Sequence, residues 1–243
     1  MLPLREELKY IHRVRRQMPA DPRATSCSRH IMTNDTIITP GSLFIVCAPS
    51  GGGKTSIVNK VLERDRGLKL SVSFTTRAPR VGEIHGTHYH FVDEPTFERL
   101  RNDKAFLESA LVHGHHYATS RVWLEAEMAR GNDVVLEIDV QGAEQVRRLM
   151  PRTVCIFILP PSWKLLSQRL TGRGQDAPEV IARRLDAARY EISRVDEFDY
   201  VIINNDFAAA VEDLSAVVRA SRLRCAIQRA RHPDLYRSLL ETD

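Results

Sequence analysis

A glycine-rich loop that ends in lysine and threonine carries the clearest chemical signal in the sequence. An apolar strand predicted over residues 43–48 leads into it, and residues 54–65 continue with the apolar spacing of a helix. The pattern approaches G-x-x-x-x-G-K-[ST], with Ala48 in place of the first glycine. In such a loop, backbone N–H groups and the N-terminus of the helix surround a phosphate group. The loop residues are Ala48, Pro49, Ser50, Gly51, Gly52, Gly53, Lys54 and Thr55.

Two side chains of this phosphate-binding loop, the P-loop, have specific expected tasks. Lys54 reaches the β- and γ-phosphates of a nucleoside triphosphate, and the Thr55 hydroxyl binds Mg²⁺. A flexible glycine turn between a strand and a helix would explain the three adjacent glycines. It would not explain a lysine and a threonine at the start of the helix. The sequence therefore predicts a nucleotide site.

A second group of polar side chains lies within residues 71–89, which are unlike an ordinary connecting loop. Arg77 and Arg80 offer planar, forked donors that suit a phosphate group. Tyr89 and Tyr117 supply hydroxyl groups that could contact the same phosphate. A solvated loop with chance arginines is the alternative interpretation. The P-loop upstream favours a second phosphate site.

Glu108 lies on a separate apolar segment, residues 106–108. An ionised carboxylate has acceptors only, so it can pair with both the N1–H and the N2–H₂ donors of guanine. Adenine has no such pair of donors on one edge. The position of this acid therefore favours a guanine nucleotide as the occupant of the second phosphate site.

Composition limits the class of protein. The chain has 243 residues, 43% apolar and 27% charged, enough for one substantial α/β domain with insertions or for two small domains. No apolar run approaches the length of a membrane-spanning helix. The four cysteines are scattered without a C-x-x-C pair, which predicts a cytoplasmic protein with neither a disulfide scaffold nor a zinc site. We interpret His113, His115 and His116 as loop residues rather than metal ligands.

Strands alternate with helices beyond residue 42. Strands are predicted at residues 43–48, 71–74, 134–139, 154–159 and 200–204, and one long helix is expected after the last of them. Several of these runs are continuously apolar, as in parallel strands that are covered on both faces. Their order around the P-loop predicts an α/β fold with a doubly wound parallel sheet.

Residues 1–40 have a different character. Leu4, Leu8 and Ile11 have helical spacing, and prolines and serines follow. No apolar h-region is present, which argues against a secretory signal. We expect an N-terminal extension that is disordered or weakly helical, with Met32 as an alternative start.

Taken together, the motifs resemble those of the guanylate kinase family. The most specific one is S-x-T-T-R-x-P-R-x-G-E-x-x-G at residues 73–86, and the similarity covers roughly residues 41–235 in one unbroken order. Further matching segments are residues 48–55, 108, 117–119, 137–142, 158–162, 172–174 and 204. The resemblance implies an ATP:GMP phosphotransferase that uses ATP with Mg²⁺ and gives ADP and GDP. Use of dGMP is left open.

The resemblance also implies three parts within residues 41–243. The core would comprise residues 41–73, 123–162 and 197–243. A small mixed α/β insertion that binds GMP would span residues 74–122, and a mobile helical lid would span residues 163–196.

The GMP site carried over by the resemblance combines phosphate and guanine contacts. Its residues are Ser73, Arg77, Arg80, Glu83, Tyr89, Glu108, Tyr117, Thr119 and Glu137. Ser73, Glu108 and Thr119 would read guanine, and Glu83 would orient the arginines. At position 137 the family has Asp, whereas this chain has Glu.

The catalytic residues implied by the resemblance neutralise charge on the transferring phosphoryl group. They are Lys54, Arg169, Arg173 and Arg184. Asn204 is expected to contact adenine, and Asp139 to bind Mg²⁺ through water beside Thr55. His116 and Ala118 stand where the family usually has a tyrosine and a glycine.

Three other interpretations stay open. The chain could be a non-catalytic guanylate kinase-like module that binds proteins, a kinase for another nucleoside monophosphate, or a nucleic-acid binder. The net charge of +4 motivates the last, but no base-reading motif supports it. Lys54, Arg173 and Arg184 argue against the first, because such modules typically lack them. We expect GMP and ATP as partners, without nucleic acid or membrane, a monomer or small homo-oligomer, and a place in purine metabolism.

Overall fold

The computed structural model describes residues 32–33, 36–37, 39–171 and 178–241 of the chain. Two short strands, β1 (Met32–Thr33) and β2 (Thr36–Ile37), pair antiparallel ahead of the main fold. Residues 1–31 of the predicted extension lie outside the described residues.

A parallel sheet of five strands forms the centre of the molecule. β3 (Leu43–Cys47) lies between β9 (Asp133–Glu137) and β10 (Val154–Leu159), while β4 (Leu68–Leu70) and β11 (Tyr200–Ile203) form the edges. All four pairings in this sheet are parallel. β3 is buried along its whole length because both faces of the sheet are covered. The predicted doubly wound parallel sheet is confirmed.

Helices cover the two faces of this sheet. On one face pack α1 (Lys54–Arg64) and α7 (Phe207–Arg222), and on the other pack α3 (Arg121–Ala129) and α4 (Val140–Leu149). Side chains alternate along β3, so that Phe44 and Val46 join the first cluster whereas Ile45 and Cys47 join the second. Two separate apolar layers therefore hold the strand that leads into the P-loop.

A second sheet, of four strands, stands beside the first. Its order is β6 (His90–Phe91), β5 (Phe74–Thr75), β8 (His115–Ser120) and β7 (Phe106–Val112). Helix α2 (Glu94–Asn102) packs against it. Their small core consists of Phe74, Phe97, Leu100, Phe106 and Ala118.

Two helices pack against each other after β10. These are α5 (Trp163–Thr171) and α6 (Pro178–Ser193), and their buried contacts are Leu166, Leu170 and Ala188. A single 3₁₀ turn, Val195–Glu197, then leads into β11. Arg173, predicted to act in catalysis, lies outside the described residues.

Two sequence-based element predictions are wrong. Ser71–Ser73 is not a strand, because the chain leaves the central sheet after β4 and enters the second sheet at Phe74. The single C-terminal helix is instead three helices, with α8 (Cys225–Arg231) and α9 (Pro233–Leu240) after α7. Pro233 explains the second break, since a proline disfavours helical geometry in the residue before it.

Candidate active site

A cavity of about 940 Å³ opens where β3, β9 and β11 end, at the carboxyl edge of the central sheet. This edge is where ligands bind in open α/β sheets. The cavity brings together most of the predicted site residues. Those that line it are Ala48, Pro49, Ser50, Gly51, Gly52, Gly53, Lys54, Thr55, Ser73, Arg80, Tyr89, Glu108, Tyr117, Glu137, Asp139, Arg169, Arg184 and Asn204.

The P-loop has the backbone geometry that its glycines predict. Gly51 and Gly53 have φ angles of 84° and 93°, which side chains other than glycine rarely adopt. Helix α1 begins directly at Lys54, whose Nζ donates to the Ile138 carbonyl oxygen at 3.1 Å. Ala48 is not among the described residues with positive φ, so a small side chain is tolerated there.

Oxygen ligands suited to Mg²⁺ meet beside the P-loop. The Thr55 hydroxyl donates to Glu137 Oε2 at 2.7 Å, while Glu137 Oε1 is buried and has no hydrogen-bond partner among the described residues. Asp139 caps helix α4 by accepting from the Gly142 N–H at 2.9 Å, and it also lines the cavity. A hydroxyl and two carboxylates form a hard oxygen set, which fits Mg²⁺.

The predicted acceptor-phosphate site is built around Glu83. One carboxylate oxygen pairs with Arg77 Nη2 at 2.8 Å, and the other accepts from the Arg80 backbone N–H at 2.7 Å. The hydrogen bond from Arg77 lowers the pKa of Glu83, so this acid stays ionised. The Arg77 guanidinium also lies 5.3 Å from the centre of the Tyr89 ring, which in turn is 5.8 Å from that of Tyr117. Arg77 and Glu83 stand behind Arg80 and the tyrosines that line the cavity.

Glu108 forms the candidate guanine reader. Its side chain is 5% exposed, and the Thr119 hydroxyl donates to its Oε1 at 2.7 Å. Thr119 is fully buried and does not line the cavity, so it supports Glu108 from behind. A Cβ at Gly142 would lie 2.6 Å from Glu108 Oε2, so a larger residue there would displace the carboxylate from its observed position. Burial raises the pKa of Glu108 to about 7, with the Thr119 hydrogen bond opposing the rise.

Asn204 has a structural contact that the sequence did not predict. Its side-chain Nδ2 donates to the Gly52 carbonyl oxygen at 2.8 Å, and its backbone N–H donates to the Leu159 carbonyl oxygen at 2.8 Å. The side chain thus supports the P-loop. The expected contact with adenine stays a prediction.

The two helices after β10 reach the P-loop. Arg184 Nη2 donates to the Ser50 hydroxyl at 2.6 Å, and Arg169 Nη1 lies 3.5 Å from the Gly51 carbonyl oxygen. Glu191, which sequence reasoning missed, also lines the cavity, and burial raises the pKa of its carboxyl group to about 7. Its spacing could have revealed it, because it follows Arg184 by seven residues and so lies on the same face of the helix.

Comparison with known proteins decides the family. A family model described as guanylate kinase matches residues 41–221. The chain belongs to the guanylate kinase family. It is 57% identical to the guanylate kinase of Aromatoleum aromaticum, over 84% of this chain and 100% of that protein. It is 54% identical to that of Dechloromonas aromatica, over 82% and 99% of the two chains. The crystal structure of guanylate kinase from Anaplasma phagocytophilum is 33% identical and has a TM-score of 0.70, covering 84% of this chain and 98% of that one.

Membership of the guanylate kinase family confirms the resemblance that the motifs indicated. The resemblance predicts departures from the family pattern at Glu137, His116 and Ala118. The longer Glu137 side chain reaches Thr55, and Ala118 is buried in the small core of the second sheet. No helix in the described part of this guanylate kinase family member is long and apolar enough to cross a membrane.

The histidine cluster differs from its predicted loop location. His115 and His116 belong to strand β8, and only His113 lies in the turn before it, with a positive φ of 50°. His116 stacks on Phe97, with the ring centres 5.1 Å apart. His113 lines the cavity, where burial and the nearby charge of Arg184 lower its pKa.

One further group of potential metal ligands occurs among the described residues. Glu94, Glu98 and His116 have ligand atoms within 4.8 Å of one another, away from the cavity. Glu98 already pairs with Arg101 at 2.5 Å, and Glu94 is exposed. These contacts identify the group as a cluster of charged side chains at the surface.

Proposed function

We propose that this chain transfers the γ-phosphate of ATP to GMP, with the residue roles set out below. The observation that carries this proposal is that one cavity is lined both by the P-loop and by Glu108. A donor site for a triphosphate and an acceptor site for guanine therefore open into a shared space. Membership of the guanylate kinase family supports the same reaction.

On the acceptor side, Glu108 and Ser73 read guanine, with Thr119 fixing the orientation of the acid. Arg80, Tyr89 and Tyr117 bind the phosphate of GMP together with Arg77, whose position Glu83 maintains. Two forked guanidinium groups match a phosphate well, since each can donate two parallel hydrogen bonds. The ribose contacts decide whether dGMP is accepted as well.

On the donor side, the backbone N–H groups of the P-loop and Lys54 hold the phosphates of ATP. Thr55 would hold Mg²⁺, with Glu137 and Asp139 nearby as carboxylate oxygens. When bound, the ion neutralises negative charge on the phosphate oxygens. The buried, unpaired Glu137 Oε1 supports this assignment, because such an atom needs a partner.

During transfer, charge spreads over the equatorial oxygens of the moving phosphoryl group, so catalysis consists mainly of positioning and electrostatic stabilisation. Lys54 faces these oxygens from the P-loop. Arg169, Arg173 and Arg184 approach from the lid, residues 163–196. Closure of this lid over the core and the GMP-binding insertion, residues 74–122, excludes water that would otherwise accept the phosphoryl group.

The reaction implies a cytoplasmic protein of purine nucleotide metabolism, acting as a monomer or small homo-oligomer without nucleic acid or membrane. A non-catalytic module that binds proteins is the second candidate. The ordered P-loop with Lys54 and the contact between Arg184 and Ser50 argue against it.

A coupled assay of ADP release with GMP, AMP, CMP and UMP tests the proposed function. We expect ADP release that depends on Mg²⁺ and on GMP, with the other three acceptors far weaker. Nucleotide binding without turnover, measured by calorimetry, would favour the non-catalytic module. Equal use of AMP would contradict the role of Glu108.

A further inference from the structure

Gln145 is a polar residue of helix α4 to which the mechanism above gives no task. Its side-chain amide pairs with both backbone groups of Ser109 in strand β7. Oε1 accepts from the Ser109 N–H at 3.3 Å, and Nε2 donates to the Ser109 carbonyl oxygen at 2.9 Å. The amide therefore pairs with Ser109 much as a residue of a neighbouring strand would. Ser109 directly follows Glu108, the proposed guanine reader.

Strand β7 stands at one edge of the second sheet. An edge strand leaves backbone N–H and C=O groups without a partner strand, and at Ser109 the side chain of Gln145 takes that place. Nε2 of Gln145 also donates to the Gln141 carbonyl oxygen at 3.3 Å. The amide has one favourable orientation as a result, because a flipped amide would direct its oxygen at two carbonyl groups.

The pairing between β7 and β8 shifts just before Ser109. Phe106 pairs with Ser120. Two residues on, Glu108 pairs with Thr119, a step of only one residue along β8, so β7 holds one extra residue here. Such a shift changes the direction of the side chains beside it, and a slip of one residue would turn Glu108 to the other face of the sheet. The direction of Glu108 therefore depends on how firmly β7 is held after the shift.

Helix α4 packs along this part of β7. Leu107 belongs to the same apolar cluster as the buried face of the helix, and Gly142 leaves space beside the Glu108 carboxylate. Apolar contact brings the helix and the strand together without fixing a direction. A hydrogen bond does depend on direction, so the pair of bonds from Gln145 fixes the position of Ser109 relative to the helix.

We propose that Gln145 is a positioning residue for guanine selection, which holds Glu108 in place by pairing with the backbone of Ser109. This inference rests on the proposed function, in which Glu108 reads guanine. Thr119 orients the carboxylate itself through its hydrogen bond to Oε1, whereas Gln145 holds the backbone that carries it. Gln145 does not belong to the described lining of the cavity, so it acts on the nucleotide only through β7.

Steady-state kinetics of the full chain test the proposal in Gln145→Met. Methionine keeps the length and the helix propensity of glutamine and removes both hydrogen bonds to Ser109. We expect KM for GMP to rise about tenfold or more, the scale of one lost hydrogen bond to a charged group. kcat should stay within about twofold, because guanine is not the reacting group. KM for ATP and the melting temperature should stay near their wild-type values, which would show that the variant is folded.

Arg148→Met is the matched control. It introduces the same residue at an exposed position of the same helix, where the ion pair with Glu144 lies at the surface and contributes little. We expect wild-type kinetics. A loss in Arg148→Met as large as that in Gln145→Met would indicate a general effect on helix α4 and would overturn the proposal, as would a wild-type KM for GMP in Gln145→Met.

A double-mutant cycle separates positioning of Glu108 from a general loosening of the structure. If Gln145 acts through Glu108, then Gln145→Met should change kcat/KM for GMP by less than about twofold in the Glu108→Gln background. An effect of full size in that background would overturn the proposal. A fall in kcat with KM for GMP unchanged would also overturn it, because Gln145 would then act on phosphoryl transfer.

A second measurement does not depend on turnover. Hydrogen exchange of the Ser109 amide, followed by NMR in the nucleotide-free protein, should be faster in Gln145→Met and unchanged in Arg148→Met. Unchanged exchange in Gln145→Met would refute the pairing. Absence of GMP-dependent ADP release in the wild type would instead refute the proposed function, and the exchange experiment would still decide whether Gln145 holds β7.

Discussion

The side-chain amide of Asn204 donates a 2.8 Å hydrogen bond to the backbone carbonyl oxygen of Gly52. This bond joins the end of strand β11 to the P-loop across 152 residues of sequence. Asn204 is only 6% exposed, and a Cβ on Gly53 would lie 2.3 Å from its Nδ2. The shape of the P-loop therefore depends on a residue from the last strand of the central sheet as well as on its own glycines.

Replacement of Asn204 by alanine tests this dependence. The change leaves the buried Gly52 carbonyl unpaired, which costs about 1–3 kcal/mol. We expect a lower melting temperature and a KM for ATP raised several-fold, with KM for GMP unchanged. Parallel assays with GTP as donor separate two roles. Loss of loop support weakens both donors alike, whereas a selective loss for ATP would show that Asn204 reads adenine.

Replacement of Lys54 by alanine tests the P-loop assignment. In the proposed mechanism the change removes the cation that faces the transferring phosphoryl group, and we expect kcat to fall by about 10³-fold or more. The melting temperature should stay near that of the wild type, because Lys54 makes one described hydrogen bond, to Ile138, at the edge of the cavity. Near-normal turnover in a folded variant would contradict the assignment.

The pair Arg77–Glu83 offers a test of the acceptor site by a double-mutant cycle. Arg77→Ala and Arg80→Ala should each weaken GMP binding by about 1.5–3 kcal/mol, the value of a charge-assisted hydrogen bond, with ATP binding unchanged. Glu83→Gln should weaken GMP binding mainly through Arg77, so its effect should largely vanish in the Arg77→Ala background. Calorimetry measures the affinity of each variant for GMP and for ATP. A loss of ATP affinity with GMP affinity intact would mean that the donor and acceptor sites are assigned the wrong way round.

Removal of residues 1–31 should leave turnover nearly unchanged. The family match begins at residue 41, and all described contacts of the cavity come from later residues. The measurement compares the kcat and the oligomeric state of the truncated chain with those of the full chain. A large loss of either would assign the extension a structural role.

The elements that could be predicted from the sequence are those specified by local patterns of residues. Runs such as residues 154–159 specify buried parallel strands, and the P-loop combines a strand, a glycine turn and a helix start within a few residues. Contacts between distant segments could not be predicted in the same way. The contacts of Asn204 with Gly52 and of Arg184 with Ser50 depend on where whole elements pack, and the position of Thr119 behind Glu108 depends on strand pairing.

If Glu108 reads guanine as proposed, we expect GMP binding to depend on pH. Burial raises its pKa to about 7, and pairing with both guanine donors requires the ionised form. Below the pKa the ionised fraction falls tenfold per pH unit, so GMP binding should be about ten times weaker at pH 6 than above pH 8. Affinity should therefore rise through pH 7 and then level off. A flat profile between pH 6 and 8 would contradict a titrating guanine reader.

Glu108→Gln supplies both the control and the sharpest test of specificity. The phosphate of GMP itself titrates at about pH 6, and it does so with the variant as with the wild type. The ratio of the two pH profiles of GMP affinity, wild type over Glu108→Gln, therefore reports the titration of the Glu108 carboxyl group alone. An amide must direct one donor at a guanine donor, which leaves a buried group unpaired and discriminates strongly. We expect kcat/KM for GMP to fall by about 10²-fold or more, with ATP binding unchanged and AMP gaining relative to GMP. An unchanged GMP-to-AMP ratio of kcat/KM would mean that guanine is read elsewhere, and Ser73 would then be the next residue to replace.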